Sequence, residues 1–237
     1  MKIQDAVVFV TGANRGLGLA FAQEALKQGA RKVYAGVRNP DGREIPGIVQ
    51  IKVDVTNSAS VKAAAEQCED TTLLVNNAGI ARLTDDVLGP EMIEGSREIF
   101  ETNYYGTIYV SQAFAPVLAR NGGGAIINVL SDATWFARPV LAAYSASKSA
   151  AWSFTNALRL AVRDQNTRVL GLHVSFIDTD MTKALDIKKI NPRDVAQAAF
   201  AGIENGHDEV LVDDFTNKLK QSLSTQEPLY FNPPEVA

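Results

Sequence analysis

Three residues near the middle of the chain carry side chains that together can move a proton to or from a substrate oxygen. Tyr144 and Lys148 stand four positions apart, a spacing that places both on one face of a helix, and Ser131 precedes Tyr144 by 13 residues. A phenol has a pKa of ~10, and a nearby cation favours its anionic form. The trio therefore offers an acid/base group, a positive charge beside it and a hydroxyl that can bind an oxygen atom.

These three groups suit the transfer of hydride to a ketone. Hydride addition builds an alkoxide, which needs a proton donor within hydrogen-bond reach. We expect Tyr144 to donate that proton, Lys148 to supply the positive field and Ser131 to orient the carbonyl oxygen. The alternative is a solvated helix face that carries Tyr144 and Lys148 by chance. It is disfavoured because Ser131 follows the predicted strand Ala125–Val129, and parallel sheets bind ligands at the carboxyl ends of their strands.

A glycine-rich turn follows the first predicted strand. It runs Thr11-Gly-Ala-Asn-Arg-Gly-Leu-Gly18, with glycines at 12, 16 and 18 rather than in the more familiar G-x-G-x-x-G spacing. Backbone without side chains can approach a pyrophosphate, and the following helix offers free N–H groups and a positive dipole end. We interpret the turn as a phosphate cradle. The alternative is an ordinary strand-to-helix turn.

Two arginines favour NADP(H) over NAD(H). Arg15 lies within the glycine turn and Arg38 follows the second predicted strand, where dinucleotide folds meet the adenosine ribose. NAD-binding versions hold the 2′-hydroxyl with an acidic residue there, whereas this chain has no carboxylate until Asp41. Two guanidinium groups can pair with a 2′-phosphate through charge-assisted hydrogen bonds. The alternative is that both arginines are solvated surface residues.

The elements that must position these residues alternate strictly between strand and helix. Strands are predicted at Ala6–Val10, Lys32–Val37, Val49–Val53, Leu73–Val75, Ala125–Val129, Val169–Phe176 and Glu209–Val212. Helices are predicted behind the glycine turn, after an N-cap at Asn57 or Ser58, over Glu91 to Arg120 as two consecutive helices, over Ala143–Arg163, and from Arg193 to about Glu204. Strands that are apolar on both faces imply a doubly wound parallel sheet, a Rossmann-like α/β fold in three layers.

We predict a single domain over residues 1–223, because no linker, repeat or low-complexity run divides the sequence. A Pro-containing tail follows at 224–237. Disorder and packing on a neighbouring subunit are the two alternatives for this tail.

Composition argues against several classes of protein. The 237 residues include 23 Lys+Arg against 27 Asp+Glu, a formal net charge of −4, so binding to nucleic acid is not expected. No membrane segment is expected, since no run reaches the ~20 apolar residues that span a bilayer. The single cysteine, Cys68, fits a buried position in a cytoplasmic protein. His173 and His207 have no partners at metal-ligand spacing, so no metal is expected.

The ordered motifs together resemble a classical short-chain dehydrogenase/reductase over about Asp5 to Val212. The resemblance rests on the glycine turn, Asp54-Val55 after the third strand, Asn76-Asn-Ala-Gly79 after the fourth, Asn103 with Gly106, Ser131, and Tyr144 with Lys148. The 13-residue spacing from Ser131 to Tyr144 also agrees with the family. Each motif alone is weak, but their order along the chain is specific.

The resemblance implies a catalytic tetrad of Asn103, Ser131, Tyr144 and Lys148. In the family the tyrosine is the acid/base, the serine positions the substrate oxygen, the lysine binds the nicotinamide ribose and lowers the tyrosine pKa, and the asparagine holds a proton-relay water. The resemblance also implies a cofactor-binding set of Gly12, Asn14, Arg15, Gly16, Leu17, Gly18, Arg38, Asp54, Val55, Asn76, Ala78, Gly79, Tyr144, Lys148, Ile177 and Thr179. For Asn103 the alternative is a residue that only bends its helix.

One departure from the family concerns the turn after the sixth strand, where relatives carry Pro-Gly and this chain has Val174-Ser175. A side chain at 175 costs more than glycine in unusual backbone conformations, so strain and a relaxed backbone are the two alternatives there. Trp135 is expected in the substrate pocket with Ser131 and Tyr144. The alternative for Trp135 is a place in the core or at a subunit contact.

We therefore expect an NADPH-dependent oxidoreductase that reduces a ketone or aldehyde to an alcohol, and catalyses the reverse reaction. The resemblance also implies a homotetramer or dimer, formed through helices at Tyr105–Ala119 and Ser147–Arg163. The family's substrate lid corresponds to the short segment Asp180–Asn191, which favours an open pocket for hydrophobic or bulky ketones. The alternatives are a non-catalytic NADP(H)-sensing or scaffold protein on the same fold, or a related dehydratase or epimerase.

Overall fold

A parallel sheet organises the chain, and the computed structural model describes residues 1–40, 42, 45–84 and 86–231. Asp41 and the tail residues 232–237 lie outside the described residues. The strands within these ranges are Val7–Thr11 (β1), Lys32–Val37 (β2), Ile48–Lys52 (β3), Leu73–Asn76 (β4), Gly124–Val129 (β5), Thr167–His173 (β6) and Glu209–Leu211 (β7). They pair in the order β3-β2-β1-β4-β5-β6-β7, and every pairing is parallel. The predicted doubly wound Rossmann-like sheet is confirmed.

Helices cover both faces of this sheet. Those of the described residues are Gly16–Lys27 (α1), Ser58–Gln67 (α2), Glu91–Phe100 (α3), Gly106–Arg120 (α4), Ala142–Ala161 (α5), Pro192–Asn205 (α6) and Asp214–Ser222 (α7). A π-helical turn at Glu101–Tyr105 joins α3 to α4, where the sequence predicts two consecutive helices. Asn57 caps α2, because its side-chain oxygen accepts a hydrogen bond from the backbone N–H of Ser60.

Alternation along the strands divides the apolar core into two layers. Val8 and Val10 of β1 face α1 and α6, where Phe21 and Phe200 meet edge to face at 5.5 Å between ring centres. On the other face, Phe9 packs 4.5 Å from the ring centre of Phe114 in α4. The sheet is therefore held between helices on both sides, as the strand pattern predicts.

Strand register gathers the carboxyl ends of the strands at one edge. Thr11 at the end of β1 pairs with Gly36 in β2, and Asn76 at the end of β4 pairs with Asn128 in β5. The chain passes from β3 on one side of β1 to β4 on the other, so strand order reverses there. Open α/β sheets bind ligands in the crevice at this switch point.

The β6 strand ends earlier than the sequence indicates. It stops at His173 rather than at the predicted Phe176. One further bond in the same register follows the strand, because the carbonyl oxygen of Val174 accepts the N–H of Asp132 at 3.1 Å. The apolar run continues past the strand because Val174 remains buried. Apolar periodicity reports burial, and here burial outlasts the strand.

The α7 helix was not predicted from the sequence. Its mostly polar composition carries Phe215 and Leu219 as its apolar pair. Asp213 caps it, since the carboxylate accepts hydrogen bonds from the N–H and the hydroxyl of Thr216 at 2.9 and 2.8 Å. The same carboxylate accepts the N–H of Ser175 at 2.9 Å, which ties the segment after β6 to this helix.

The described part of the predicted tail lies after α7. The N–H of Leu229 donates to the hydroxyl of Ser222 at 3.1 Å, and Pro228 is buried. The division of the chain at residue 224 stays a prediction.

None of the described helices combines the length and the apolar character that crossing a bilayer requires.

Replacing Asp213 with alanine should lower the free energy of unfolding by about 1–3 kcal/mol, because one carboxylate serves both the α7 cap and Ser175. Urea unfolding followed by circular dichroism measures this change. The exposed neighbour Asp214 is the matched control, and Asp214→Ala should have little effect. Equal stability of the two variants would show that Asp213 does not fasten these segments.

Candidate active site

The predicted catalytic side chains meet at the carboxyl edge of the sheet. Ser131 follows β5 by two residues, while Tyr144 and Lys148 lie in the first two turns of α5. The hydroxyl of Ser131 lies close enough to the phenol of Tyr144 to influence its pKa. The Nζ of Lys148 lies 5.6 Å from the centre of the Tyr144 ring. A hydroxyl, a phenol and an ammonium group thus form one cluster.

Lys148 is buried although it carries an ammonium group. Its Nζ donates a 2.8 Å hydrogen bond to the backbone carbonyl oxygen of Val129, the last residue of β5. Burial lowers the pKa of Lys148 to about 8, because surroundings of low dielectric constant disfavour the charged form. The side chain therefore keeps its charge below pH 8 and loses it above that value.

The phenol of Tyr144 is shifted the other way, because burial raises its pKa to about 12. The neighbouring hydroxyl of Ser131 lowers the pKa, and the negative charge of Asp132 raises it. The family resemblance implies a tyrosine pKa lowered by the lysine, whereas here burial is the largest effect and raises it. Tyr144 is accordingly a phenol at neutral pH, the form that donates a proton.

Asn103 lies in the π-helical turn and is buried. Its Oδ1 accepts the N–H of Ile80 at 2.8 Å, and its Nδ2 donates to the carbonyl oxygen of Ile80 at 2.9 Å and to the hydroxyl of Ser147 at 3.0 Å. A Cβ added to Gly79 would lie 3.3 Å from Oδ1 of Asn103 and 3.8 Å from Nζ of Lys148. The amide therefore has a structural role at this bend, and it also borders the catalytic cluster.

The glycine turn has the geometry of a phosphate cradle. Gly16 adopts a φ of +53°, which residues with a Cβ rarely adopt. A Cβ on Gly18 would lie 2.2 Å from the carbonyl oxygen of Gly12, so this contact requires glycine. The N-cap residue of α1, Arg15, makes no side-chain capping hydrogen bond among the described residues, which leaves N–H groups of the first turn for an anion. The residues present fit a dinucleotide pyrophosphate.

The segment after β6 reaches this turn. A Cβ on Gly16 would lie 3.3 Å from Cγ2 of Thr179, so the predicted nicotinamide contact stands directly against the predicted phosphate cradle. Thr179 caps a short helical turn at Asp180–Thr182. Ile177 is half-buried just before it, and its carbonyl oxygen accepts a hydrogen bond from the hydroxyl of Thr182.

Arg15 and Arg38 are both exposed near the ends of β1 and β2. The Nη1 of Arg15 lies 3.0 Å from Oδ2 of Asp180, an ion pair between the glycine turn and the segment after β6. The pKa of Asp54 is lowered, first by hydrogen bonds from Thr56 and also by the charge of Arg38. Both cations thus lie at the surface beside the turn, where Arg15 is paired with Asp180 and Arg38 acts on Asp54.

Other predicted cofactor residues divide into exposed and buried positions. Asn14 is exposed on the turn and Leu17 is buried beneath it. Val55 is buried against α4, since a Cβ on Gly106 would lie 3.0 Å from its Cγ2. Ala78 packs against the glycine turn, with its Cα 3.1 Å from a Cβ placed on Gly12.

The side chain of Asn76 is directed into the core. Its Nδ2 donates to the hydroxyl of Ser111 at 3.0 Å and to Oδ1 of Asn128 at 2.9 Å. Asn76 therefore joins β4 to β5 and α4, and its side chain is engaged there.

Asn77 has a positioning role that the sequence-based site did not include. The hydroxyl of Thr11 accepts the N–H groups of Asn77 and Ala78, each at 3.0 Å. The Nδ2 of Asn77 in turn donates to the carbonyl oxygen of Thr11 at 2.9 Å. These bonds join the turn after β1 to the turn after β4. The signal was present, because Asn77 lies inside the Asn76–Gly79 motif.

Ser175 takes an ordinary backbone conformation. Among the described residues, the non-glycine residues with positive φ are Asp5 and Asn166. The N–H of Ser175 is bonded to Asp213. Of the two alternatives at this turn, the relaxed backbone is the one found.

Trp135 packs behind the catalytic segment. Its ring stacks on His173 at 4.1 Å between ring centres and meets Trp152 edge to face at 5.9 Å. His173 is fully buried, and its Nδ1 lies 3.2 Å from the carbonyl oxygen of Ser131. These contacts favour the core alternative for Trp135, which leaves its predicted place in the substrate pocket a prediction.

Groups of three or more His, Cys, Asp or Glu side chains that could hold a metal ion are absent from the part of the chain that the structure describes. Cys68 is buried, as its predicted role as a small apolar residue requires, and burial raises the pKa of its thiol to about 12.

A glycine turn beside a serine, a tyrosine and a lysine at the carboxyl edge of a parallel sheet is the arrangement expected of an oxidoreductase of the Rossmann-like fold. The chain belongs to the short chain dehydrogenase family, whose model matches residues 6–189. The recognition made from the sequence motifs is confirmed.

Similar proteins include a short chain dehydrogenase from Burkholderia cenocepacia, solved in complex with NADP. It is 40% identical, with a TM-score of 0.90 and 95% of each chain covered. A 3-ketoacyl-(acyl-carrier-protein) reductase from Brucella melitensis, complexed with NADH, is 25% identical with a TM-score of 0.80, covering 89% of this chain and 97% of that one. An uncharacterized oxidoreductase of Staphylococcus saprophyticus is 29% identical, covering 86% of this chain and 93% of its own.

Replacing Lys148 with methionine should stabilise the fold by about 1–2 kcal/mol below pH 8, since it removes a buried charge at the loss of one hydrogen bond. The folded pKa of about 8 lies below the ordinary 10.5, so the unfolded wild-type chain binds more protons between these values. The contribution of Lys148 to the stability of the wild type therefore rises across this interval, and the advantage of the variant shrinks towards pH 10.5.

Urea unfolding on both sides of this interval measures the difference. Lys62→Met, at an exposed lysine of α2, is the control and should show no such pH dependence. A Lys148→Met variant that is less stable at every pH would contradict the proposed cost of burying the charge.

Proposed function

We propose that the protein is an NADPH-dependent carbonyl reductase, which converts a ketone or aldehyde to an alcohol and catalyses the reverse reaction. The observation that carries this proposal is the convergence of Ser131, Tyr144 and Lys148 at the sheet edge that also holds the glycine turn. Family membership supports oxidoreductase chemistry. The half-buried phenol of Tyr144 supports a proton donor, because desolvation raises its pKa to about 12 and keeps it protonated at neutral pH.

The glycine turn, with Arg15, Arg38 and Thr179, would hold the nucleotide along the carboxyl ends of β1, β2 and β6. When bound, the reduced nicotinamide supplies the hydride. Tyr144 donates its phenolic proton to the oxygen that becomes an alkoxide, and Ser131 orients that oxygen by a hydrogen bond. Lys148 keeps an ammonium charge near the phenol, which stabilises the phenolate left after transfer. Asn103 supports this cluster through its hydrogen bonds with Ile80 and Ser147.

The choice of NADP(H) rests on charge. Arg15 and Arg38 are exposed on the two sides of the turn, where a 2′-phosphate would accept forked hydrogen bonds from guanidinium groups. The Burkholderia relative was solved with NADP and the Brucella reductase with NADH, so relatives of this fold use both nucleotides. In this chain, the two arginines favour the phosphorylated form.

An apolar carbonyl compound is the proposed substrate. The N–H of Thr84 donates to the carbonyl oxygen of Val140 at 2.9 Å, which brings the loop after Gly79 to the segment before Tyr144. Leu83 and Val140 are exposed there, with 75% and 48% of their surface accessible. Apolar side chains beside the approach to Tyr144 suit a hydrophobic ketone. A cytoplasmic homo-oligomer, built through the exposed faces of α4 and α5, is part of the same proposal.

Tyr144→Phe should lower the rate of NADPH-dependent ketone reduction by about 10²–10⁴-fold, because it removes the proton donor and leaves the nucleotide cradle intact. The rate is measured as NADPH oxidation with a panel of aryl ketones and small hydrophilic aldehydes. Fluorescence titration measures NADPH binding. Tyr105→Phe, at an exposed tyrosine, is the control.

The same experiment separates the alternatives. A sensor or scaffold protein would keep its nucleotide binding and show no turnover in the wild type. A dehydratase or epimerase would turn over substrate without net NADPH consumption. Unchanged reduction by Tyr144→Phe would exclude the proposed mechanism.

Arg38→Asp should lower kcat/KM with NADPH by about 10–100-fold, because it replaces a charge-assisted partner of the 2′-phosphate with a like charge. Efficiency with NADH should hold or rise, so the preference between the nucleotides moves towards NADH. Arg31→Asp, at the opposite end of β2, is the charge-matched control. Equal efficiency with the two nucleotides in the wild-type protein would refute NADP(H) specificity.

A further inference from the structure

A buried ion pair stands directly beside the hydroxyl of Ser131. The Oδ1 of Asp132 is 2.9 Å from Oγ of Ser131 and accepts the N–H of Ala133 at 2.8 Å. Its Oδ2 lies 3.2 Å from Nη2 of Arg138. The side chains of Asp132 and Arg138 are only 5% and 12% exposed, so water screens this pair weakly. A charged group with this contact to the serine was not predicted from the sequence.

The contact fixes the direction of the serine hydrogen. A carboxylate paired with a guanidinium group can only accept hydrogen bonds, and a hydroxyl has one hydrogen to donate. The hydrogen of Ser131 is therefore given to Asp132, and Oγ also accepts the N–H of Ala133 at 3.1 Å. In that arrangement Ser131 does not donate its hydrogen to the phenol oxygen, so the contact that would lower the pKa of Tyr144 is withheld and the phenol keeps its proton.

We propose that Asp132 is a positioning residue that keeps Tyr144 in its proton-donating form before the substrate binds, by holding the hydrogen of Ser131 and by its negative charge. Arg138 limits this effect, because it neutralises part of that charge. This inference rests on the proposed function. The protonated phenol is the form of Tyr144 that carbonyl reduction requires, whereas alcohol oxidation requires the phenolate. An incoming carbonyl oxygen then competes with Asp132 for the serine hydrogen.

Arg138 is held in place independently of Asp132. Its guanidinium carbon lies 4.4 Å from the ring centre of Phe136 and 5.0 Å from that of Phe176. These cation–π contacts with both rings hold the guanidinium group of Arg138 beside the carboxylate of Asp132. The Phe136 ring also meets Phe215 of α7 edge to face at 5.6 Å between ring centres. The pair is therefore part of a packed support rather than a loose surface contact.

The charged and titratable groups around Tyr144 come from several elements of the fold. Lys148 lies on the same helix, and Asp132 with Arg138 lies on the segment after β5. His173, at the end of β6, is buried and its pKa is lowered to about 3, so the ring is neutral near pH 7. Lys220 of α7 lies behind Trp135 and is paired with Glu209. Of these groups, Asp132 is the negative charge that raises the pKa of the Tyr144 phenol.

The test compares the pH dependence of kcat/KM for alcohol oxidation, at saturating NADP⁺, in wild type and variants. This constant reports the group that must lose its proton before the alcohol binds. Asp132→Asn should move the basic transition about 1 pH unit lower, and Asp132→Ala should move it further, since the second variant also frees the serine hydrogen. Arg138→Gln should move it higher, because it leaves the carboxylate unneutralised.

The basic transition should move in opposite directions in the Asp132 and Arg138 variants. A merely structural role of these residues would not give that result. Damage to the packed support would lower activity in all variants without moving the transition in two directions. Circular dichroism and NADP⁺ titration serve to check that each variant is folded and binds the nucleotide. Asp164→Asn, at an exposed carboxylate of the surface, is the control and should leave the profile unchanged.

A second readout keeps this inference separate from the proposed function. The ultraviolet difference spectrum of tyrosinate, taken against Tyr144→Phe, follows the ionisation of this phenol without any turnover. If the wild type shows no NADP-dependent activity, the proposed function fails, and the spectrum still shows whether Asp132 controls the phenol. If the phenol of Asp132→Ala ionises at the wild-type pH or above it, the positioning role of Asp132 is overturned.

Discussion

The hydroxyl of Thr11 joins the two turns on which the whole site is built. By accepting the N–H groups of Asn77 and Ala78, it fixes the end of β4 against the end of β1. Gly79 then stands against Asn103 and Lys148, and Gly12 stands against Ala78. A parallel sheet brings strand ends to one edge, and such local bonds set the spacing between the glycine turn and the cluster of Ser131, Tyr144 and Lys148.

Burial shifts the two titrating groups of that cluster in opposite directions. It raises the pKa of the Tyr144 phenol and lowers that of the Lys148 ammonium, so both neutral forms are favoured. A site designed only for stability would contain neither group. Burial favours the protonated phenol of Tyr144, whereas it disfavours the ammonium group of Lys148, whose Nζ donates a hydrogen bond to the backbone of Val129. Catalytic sites commonly hold such groups at the expense of stability.

Sequence alone predicts the features that depend on local pattern. Apolar runs predict the strands, the glycine spacing predicts the cradle, and the interval between Tyr144 and Lys148 predicts their shared helix face. Features that need a distant partner were missed. The sequence shows Asp132 beside Ser131, but not that Arg138 folds back onto it between two rings. The α7 helix was missed for the same reason. It carries only two large apolar side chains, and the carboxylate of Asp213 that caps it also binds Ser175, 38 residues away.

The hydrogen bond between Ser175 and Asp213 changes how much of the chain the catalytic region includes. This protein holds an ordinary backbone at Ser175 with a carboxylate placed just before the C-terminal helix. The family model matches residues 6–189, so Ser175 lies inside the matched range and Asp213 lies beyond it. A substitution in the C-terminal part of the chain, outside the matched range, can therefore change the shape of the turn that follows β6.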